Sequence, residues 1–556
     1  MRRWRIGVSV YAVLIALILS LPTLSASLNS PPDAQYTGAL VVPSGFQVDY
    51  YSHMAKLWHG AQGKWAYRLL FSTEPHEGLI GVQGFYVLLG ALSQNPPYDF
   101  PFLYHAARFV FNVLLIIALG EFIARFFSKS HERWMALIFA TLVTGWGWLM
   151  YSLVPALTVP DAPIEFWLMD AYHLTGGLFM PHFSAAALLQ LLTLLLLDDW
   201  RQKGGIARVG LLTLVMAANA VVQPYIVLLM LPLCALYAFY TLVILSYRAD
   251  QPIQRRIVWL AVPMAAQGVL AVAQYLALTS DPVWRNFTAQ NITLSPSPIH
   301  YLFGYAPFLI PIIIALIALV GENRNKIGVA GGLGMPSPYT KDQAHWLIPI
   351  LWGVLVTGLI YAPFPTQRRY LLGVQSALGM VAAWGWIRLV MPRFGKRRWL
   401  VTIAYMGSAM IALMILLTLN ITGLNPQAHP EVYVNADEQQ AAAWIRENTP
   451  SNAQLLTVLN GQGQGSGGRV VWLTGRTVYL GHWIETTHFA SKVQAVMDFY
   501  AIQNSDAARQ VFLQDNAIDV IWYDQAARLM GGWSPADADF LVPVFTSDTV
   551  TLYAPK

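Results

Sequence analysis

Residues 6–24 read IGVSVYAVLIALILSLPTL, a run without a charge that directly follows the basic end RRWR at 2–5. Wound as an α-helix, such a run reaches about 28 Å, close to the thickness of a bilayer's hydrocarbon core. Basic residues flanking a first apolar helix stay on the cytoplasmic side, so this helix enters the membrane with the N-terminus inside. The small residues LSAS at 24–27 also fit the end of a cleaved signal peptide, a reading that leaves the rest of the topology unchanged.

Runs of the same kind recur along the chain. Eleven are long and apolar enough to span: 6–24, 102–127, 134–154, 181–197, 206–222, 225–247, 257–279, 299–320, 346–362, 370–390 and 400–421. The stretch 79–94 is apolar but shorter, which predicts a re-entrant or interfacial helix. The composition agrees. Of 556 residues 56% are hydrophobic and 11% charged, where a soluble domain carries about a quarter charged. The net charge of +5 is spread over membrane loops and excludes nucleic acid as a partner, leaving membrane lipids as the surroundings. The single cysteine, Cys234, lies inside an apolar run, so no intrachain disulfide forms.

Orientation follows from Lys and Arg. With the N-terminus inside, twenty fall in cytoplasmic segments and six in external loops: Lys56, Lys64, Arg68, Arg285, Arg368 and Arg369. The bias places the chain in the cell membrane as a multi-pass protein with a cytoplasmic N-terminus. It also sets two long loops, 25–101 and 155–180, and the tail from 425 on the external side. The chain therefore divides into a membrane module at 1–424 and an extracytoplasmic α/β domain at 425–556.

The first external loop carries VDYYSHMAKLWHG (48–60) and STEPHEG (72–78), and it is too long for a plain connection. Asp49 and His53 share a helix face at a four-residue spacing, which suits a proton relay or one metal ion. With Glu74, His76 and Glu77 they form one set of cleft candidates, and helix capping or solvent exposure is the plainer alternative. The second loop, PDAPIEFWLMDAYHLTGGLFMPHF (160–183), has three carboxylates and two histidines but no Lys or Arg. Glu165 and His182 are its site candidates, while the prolines before Asp161 and Glu165 also allow plain helix starts.

An N-terminal span, a long first external loop with an acidic residue, an acidic second loop, many further spans and an external tail together resemble the GT-C superfamily of membrane glycosyltransferases. Protein O-mannosyltransferases and the lipid A aminoarabinose transferase share the general plan. PHF (181–183), QRRYLLGVQ (367–375) and GRTVYLGHWIETTHFASK (475–492) are similar to segments of uncharacterised bacterial members. The resemblance implies a polytopic α-helical GT-C-like fold and transfer of a hexosyl or pentosyl group. The donor it implies is a polyprenyl-phosphate-linked sugar, and the acceptor a glycan, lipid or protein. It also implies an acidic base in the first loop, for which Asp49 is the matching position and Glu165 the competing one. Where the superfamily has a second adjacent acid this chain has Tyr50, so the resemblance assigns no metal and a divalent ion stays an open alternative.

A phosphate leaving group needs positive charge near it. Arg368 and Arg369 sit at the outer end of a helix against the positive-inside bias, and a planar guanidinium suits phosphate. Arg108, near the outer end of the second span, is the third such candidate, and snorkelling to lipid phosphates is the alternative for all three. Glu121 and Arg125, four apart, read as a structural ion pair. In the tail, 437–447 and 492–500 read as helices, and AQLLTVL, DVIWY and TVTLYA as strands. GQGQGSGG (461–468) lacks the ending of a phosphate-binding loop and opens no clear helix, which predicts a flexible loop. His482, Glu485 and His488 have spacings compatible with one metal, but a polar helix start explains them as well. A transporter or flippase, or a non-enzymatic envelope-assembly protein, is the alternative function. Against a transporter stands the lack of internal repeats and of clustered mid-span charges.

Overall fold

The computed structural model describes residues 1–43, 45–248, 255–325, 344–460 and 465–556. Parts of the basic segments at 248–256 and 324–341, and the first half of GQGQGSGG, lie outside the described residues. Among the described residues seven helices are long and apolar enough to cross a membrane: Arg2–Leu28, Phe100–Ala124, Pro181–Lys203, Pro224–Ile244, Ile257–Ser280, Pro298–Ala318 and Val374–Ala409. Three shorter apolar helices join them, Ile206–Val222, Ala344–Leu359 and Ile411–Gly423. The protein is a polytopic α-helical membrane protein, and its tail adds a small α/β sheet region.

The described chain forms two compact units. The first comprises Met1–Ser20, Ala107–Ala273 and Thr293–Thr418, and the second Leu21–Ala106, Gln274–Ile292 and Leu419–Lys556.

In the first unit the sequence misleads at three places. The expected span 134–154 is a helix only over Ser130–Thr141, followed by the short turns Gly147–Leu149 and Met150–Leu153. The chain can leave the helix because its backbone finds other partners. The Gln375 amide donates to the Val143 carbonyl at 2.7 Å, Thr144 N–H to Ala409 O at 3.0 Å, and Trp146 N–H to Phe303 O at 3.1 Å. Within a membrane, irregular backbone is tolerated only where protein satisfies it in this way. Second, the spans expected at 370–390 and 400–421 share the stretch Val374–Ala409, which breaks at Gly395 (φ 49°, ψ −121°). Third, Glu121 and Arg125 do not pair with each other. Glu121 binds Arg5 at 2.7 Å, and Arg125 binds Asp198 and Asp199, each at 3.0 Å. A partner on another helix holds a carboxylate whose own-helix neighbour already has two.

In the second unit the helix Phe46–Ala61 is buried along almost its whole length. It crosses the helix Gly84–Gly90 so closely that a Cβ at Gly60 would strike the Val87 carbonyl, and one at Gly90 the Leu57 carbonyl. That seven-residue helix and the two-residue strand Leu79–Ile80 replace the interfacial helix expected over 79–94. Strand Ala34–Tyr36 pairs antiparallel with Tyr433–Asn435, where Asn435 and Glu438 form the capping box of helix Ala436–Asn448.

The tail sheet has five strands: β1 Gln454–Leu456, β2 Thr477–Val478, β3 Val520–Tyr523, β4 Leu541–Thr546 and β5 Thr551–Pro555. Their order is β2-β1-β3-β5-β4, with β1 parallel to β2 and β3, and β5 antiparallel to β3 and β4. The predicted helices appear as Ala436–Asn448 and Phe489–Tyr500. Contrary to the loop reading of GQGQGSGG, its last two glycines open the helix Gly467–Thr474. Val48 of the helix Phe46–Ala61 joins Leu456, Val458, Leu480, Phe499 and Ile521 in one apolar core, so tail and first loop share an interior.

Candidate active site

Asp49 lies in the first turn of the helix Phe46–Ala61, where backbone N–H groups favour a carboxylate. The helix starts from Gly45, whose φ of 84° suits glycine and whose missing Cβ leaves room for the Trp483 ring. Asp49 Oδ1 lies 3.2 Å from His482 Nε2. The carboxylate is 34% exposed and the imidazole 4%.

His482 stands in a tight turn after β2. Thr486 Oγ1 accepts the N–H groups of Gly481 and His482, both at 3.2 Å, and Thr486 N–H donates to His482 O at 2.9 Å. Three residues on, Glu485 is buried against the same helix that carries Asp49. Its carboxylate takes Lys56 Nζ at 2.9 Å and the hydroxyls of Ser52 and Tyr67. Burial alone would raise the Glu485 carboxyl, but the Lys56 ammonium and the hydroxyls of Ser52 and Tyr67 hold it below its ordinary value. Burial beside that carboxylate pushes the Tyr67 phenol far up.

The structure thus separates residues that the sequence grouped. Asp49 meets His482, whereas His53 stacks on Tyr86 with ring centroids 4.1 Å apart and has Nδ1 3.3 Å from Lys56 Nζ. Glu74 binds Lys492 at 2.8 Å, and His76 links Leu69 N–H to the Glu74 carbonyl, which ties down the segment around them. Burial is the larger influence on Glu74 and would raise it, yet Lys492 and further hydrogen bonds leave its carboxyl below the usual range. Glu77 is exposed, and its carbonyl accepts from Trp284 Nε1 at 2.9 Å. His488 is exposed and left-handed (φ 54°) at the start of helix Phe489–Tyr500, turned to neither His482 nor Glu485 by any bond it makes. Among the described residues no group of three or more His, Cys, Asp or Glu is placed to hold a metal ion. Glu485, with three other partners, is a poor ligand beside Asp49 and His482.

In the first unit the second loop is organised around Asp170 and Arg369. The Arg369 guanidinium lies 3.1 and 3.3 Å from the two Asp170 oxygens, with Asp170 only 3% exposed. Arg368 lies over the Trp167 ring at 4.9 Å, and Arg369 over Phe183 at 5.7 Å. His173 joins its Nε2 to Ser376 Oγ at 2.8 Å and its N–H to Gln375 Oε1 at 2.7 Å, and burial lowers its imidazole to about 4. His182 is half-buried beside Phe183.

Glu165 is buried in a seat that two glycines create. A Cβ at Gly145 or Gly147 would run into its carboxylate, and Gly147 N–H donates to Oε1. Among the described residues Oε2 has no hydrogen-bond partner, and burial pushes this carboxyl up to about 7. Arg108 is 1% exposed, and it donates to the carbonyls of Leu19 and Leu178.

The sequence reading missed Asp170, Lys56 and the tie of His482 to Asp49. For Asp170 a signal existed, since an acidic loop without its own Lys or Arg must find cations elsewhere, and Arg368 and Arg369 are the pair that the expected topology leaves unexplained. For His482 the three-residue step to Glu485 was visible, but not what it faced.

No protein-family model matches the sequence, and no curated protein matches it. Among solved structures, the arabinofuranosyltransferase AftD from Mycobacteria matches with a TM-score of 0.50 and 14% identity, over 100% of this chain and 41% of that one. ArnT from Cupriavidus metallidurans, solved bound to undecaprenyl phosphate, gives 0.47 and 12% over 98% of each chain. The Archaeoglobus fulgidus oligosaccharyltransferase in its apo form gives 0.48 and 12%, over 100% of this chain and 74% of that one. The match to AftD carries the fold, which is the GT-C fold that the sequence resemblance implied.

Proposed function

We propose that this protein is a membrane glycosyltransferase that moves a sugar from a polyprenyl-phosphate-linked donor to an extracytoplasmic glycan, lipid or protein by inverting single displacement. The observation that carries the reading is the Asp49 carboxylate, one-third exposed and hydrogen-bonded to His482, on the helix Phe46–Ala61. The GT-C fold and the name of the arabinofuranosyltransferase neighbour support the class of reaction.

In this reading an acceptor hydroxyl attacks the anomeric carbon on the face opposite the phosphate. A new C–O bond forms, the bond from the anomeric carbon to the phosphate oxygen breaks, and its electron pair leaves with the phosphate. Asp49 takes the hydroxyl proton as the attack proceeds. A carboxylate within reach of the attacking hydroxyl is suited to that role. For recognition of the donor phosphate the proposed residues are Arg368, stacked on Trp167, and Arg369, already ion-paired with Asp170. Arg108 gives its guanidinium to backbone carbonyls and is assigned a structural part. A cytoplasmic N-terminus and an extracytoplasmic tail belong to the same proposal and rest on the Lys and Arg count.

The test is sugar transfer by the full-length protein in membranes, with and without a polyprenyl-phosphate-linked donor. Asp49→Asn keeps the size but cannot accept the proton, so turnover should fall by about 10² to 10⁴ while donor binding persists. Near-parental transfer by Asp49→Asn would remove Asp49 from the mechanism.

A further inference from the structure

We propose that His482, contributed by the tail, is the positioning residue of Asp49, fixing both its rotamer and the side from which it accepts a hydrogen bond. The inference rests on the base role given to Asp49 above.

The hydrogen bonds around the imidazole decide where its proton sits. Nδ1 accepts the N–H of Ile484 at 3.1 Å and of Glu485 at 3.0 Å. A backbone N–H can only donate, so Nδ1 carries no proton and the ring proton of the neutral imidazole is on Nε2. Nε2 is the atom that faces Asp49 Oδ1. The imidazole therefore donates, and a donated bond to a carboxylate is stronger than one between neutral groups. The ring cannot readily turn away, because it is buried beside Phe71 and its own turn is closed by Thr486.

The turn itself is clamped to the helix that carries the base. Asp49, Ser52 and Lys56 are spaced three and four residues apart, which puts them on one stripe of the helix Phe46–Ala61. His482 and Glu485 are three apart and meet that stripe at two levels. His482 takes Asp49, and Glu485 takes Ser52 and Lys56. The lower contact is fully buried, with Lys56 and Glu485 each 3% exposed, while the upper one leaves the Asp49 carboxylate one-third exposed. The deeper pair anchors the turn so that His482 meets the carboxylate at a fixed height. A reactive group held by a partner whose own rotamer is locked is the arrangement that preorganisation requires.

Two measurements on the full-length protein test this. In the first, the protein carries ¹⁵N-labelled histidine in lipid nanodiscs, and His482 is assigned by its loss in His482→Gln. The bare nitrogen should be Nδ1 and the protonated one Nε2, with the Nε2 signal moved by Asp49→Asn. A proton on Nδ1, or an Nε2 signal indifferent to Asp49→Asn, would overturn the assignment, and neither result depends on turnover. In the second, transfer is measured with polyprenyl-phosphate-linked sugars extracted from membranes as the donor. His482→Phe should lower kcat about tenfold or more with KM little changed, as loss of a hydrogen bond to a charged group implies. His482→Gln, whose amide N–H can reach the same oxygen, should recover most of the loss.

The two readings fail differently. If Asp49→Asn abolishes transfer while a folded His482→Phe keeps parental kcat, the base stands and the positioning role falls. If Asp49→Asn transfers normally, the catalytic reading falls, whatever the histidine spectrum shows.

Discussion

Asp49 Oδ1 and His482 Nε2 lie 3.2 Å apart although 433 positions separate the residues in the chain. The segment 25–101 and the C-terminal tail therefore meet in a carboxylate–imidazole contact, and the tail is part of the framework of the proposed base. Beneath it, the buried Lys56–Glu485 pair joins the same two segments.

That buried pair makes a first prediction about stability. Glu485→Gln leaves the Lys56 ammonium buried without its counter-charge, and removing one partner of such a pair costs about 3–5 kcal/mol. The full-length protein should melt well below the parent. Combining it with Lys56→Met should return most of the loss. Equal or greater loss in the double variant would mean that the charge pair is not what joins the segments.

Arg368 and Arg369 should separate in their effects. Arg369→Met strands the buried Asp170 carboxylate and should cost about 2 kcal/mol, less than a fully buried pair because Arg369 is 22% exposed. Arg368→Lys removes a planar group from the Trp167 face, and should impair transfer with little change in melting. Full transfer in both Arg368→Lys and Arg369→Lys would end the proposal that these residues read the donor phosphate.

Glu165 should make the protein less stable as pH rises towards neutrality. Its folded value of about 7 lies above the ordinary value of 4.5, so between these the folded state holds a proton that the unfolded chain has released. The resulting stability is fully present below pH 4.5 and is lost as pH rises through 7. Glu165→Gln keeps the shape without the titration, so its melting temperature should vary less than the parent's between about pH 5 and 8. Parallel curves for the two proteins would contradict the buried, protonated state.

The proposed orientation has its own check in a Cys234→Ser background. A cysteine at the exposed Gln503 should react with an impermeant thiol reagent in intact cells, and one at the exposed Lys203 should not. The opposite pattern would invert the topology.

The spans were legible because a helix in lipid must be apolar for about twenty residues, a property of local composition alone. The tail strands VIWY and TLYAP and the helix Ala436–Asn448 were legible for a similar reason, since their patterns repeat within a few residues. The break after Thr141 was not, because an apolar stretch looks continuous unless the partners that let it unwind, Gln375, Ala409 and Phe303, are known to be near.

For the candidate site the sequence alone selected Asp49, Glu165, Arg368 and Arg369, from residue type, loop length and charge bias. Partnership was decided only by tertiary structure. The sequence offered His53 to Asp49 by helical spacing and Arg125 to Glu121 by the same rule, and the fold gave Asp49 to His482 and Glu121 to Arg5. Spacing along one helix states which side chains share a face, but the energy of a buried or half-buried charge is set by whichever donor packing brings within about 3 Å. That donor can come from any part of the chain: for Glu121 it came from the N-terminal helix, and for Asp49 from 433 positions away in the tail.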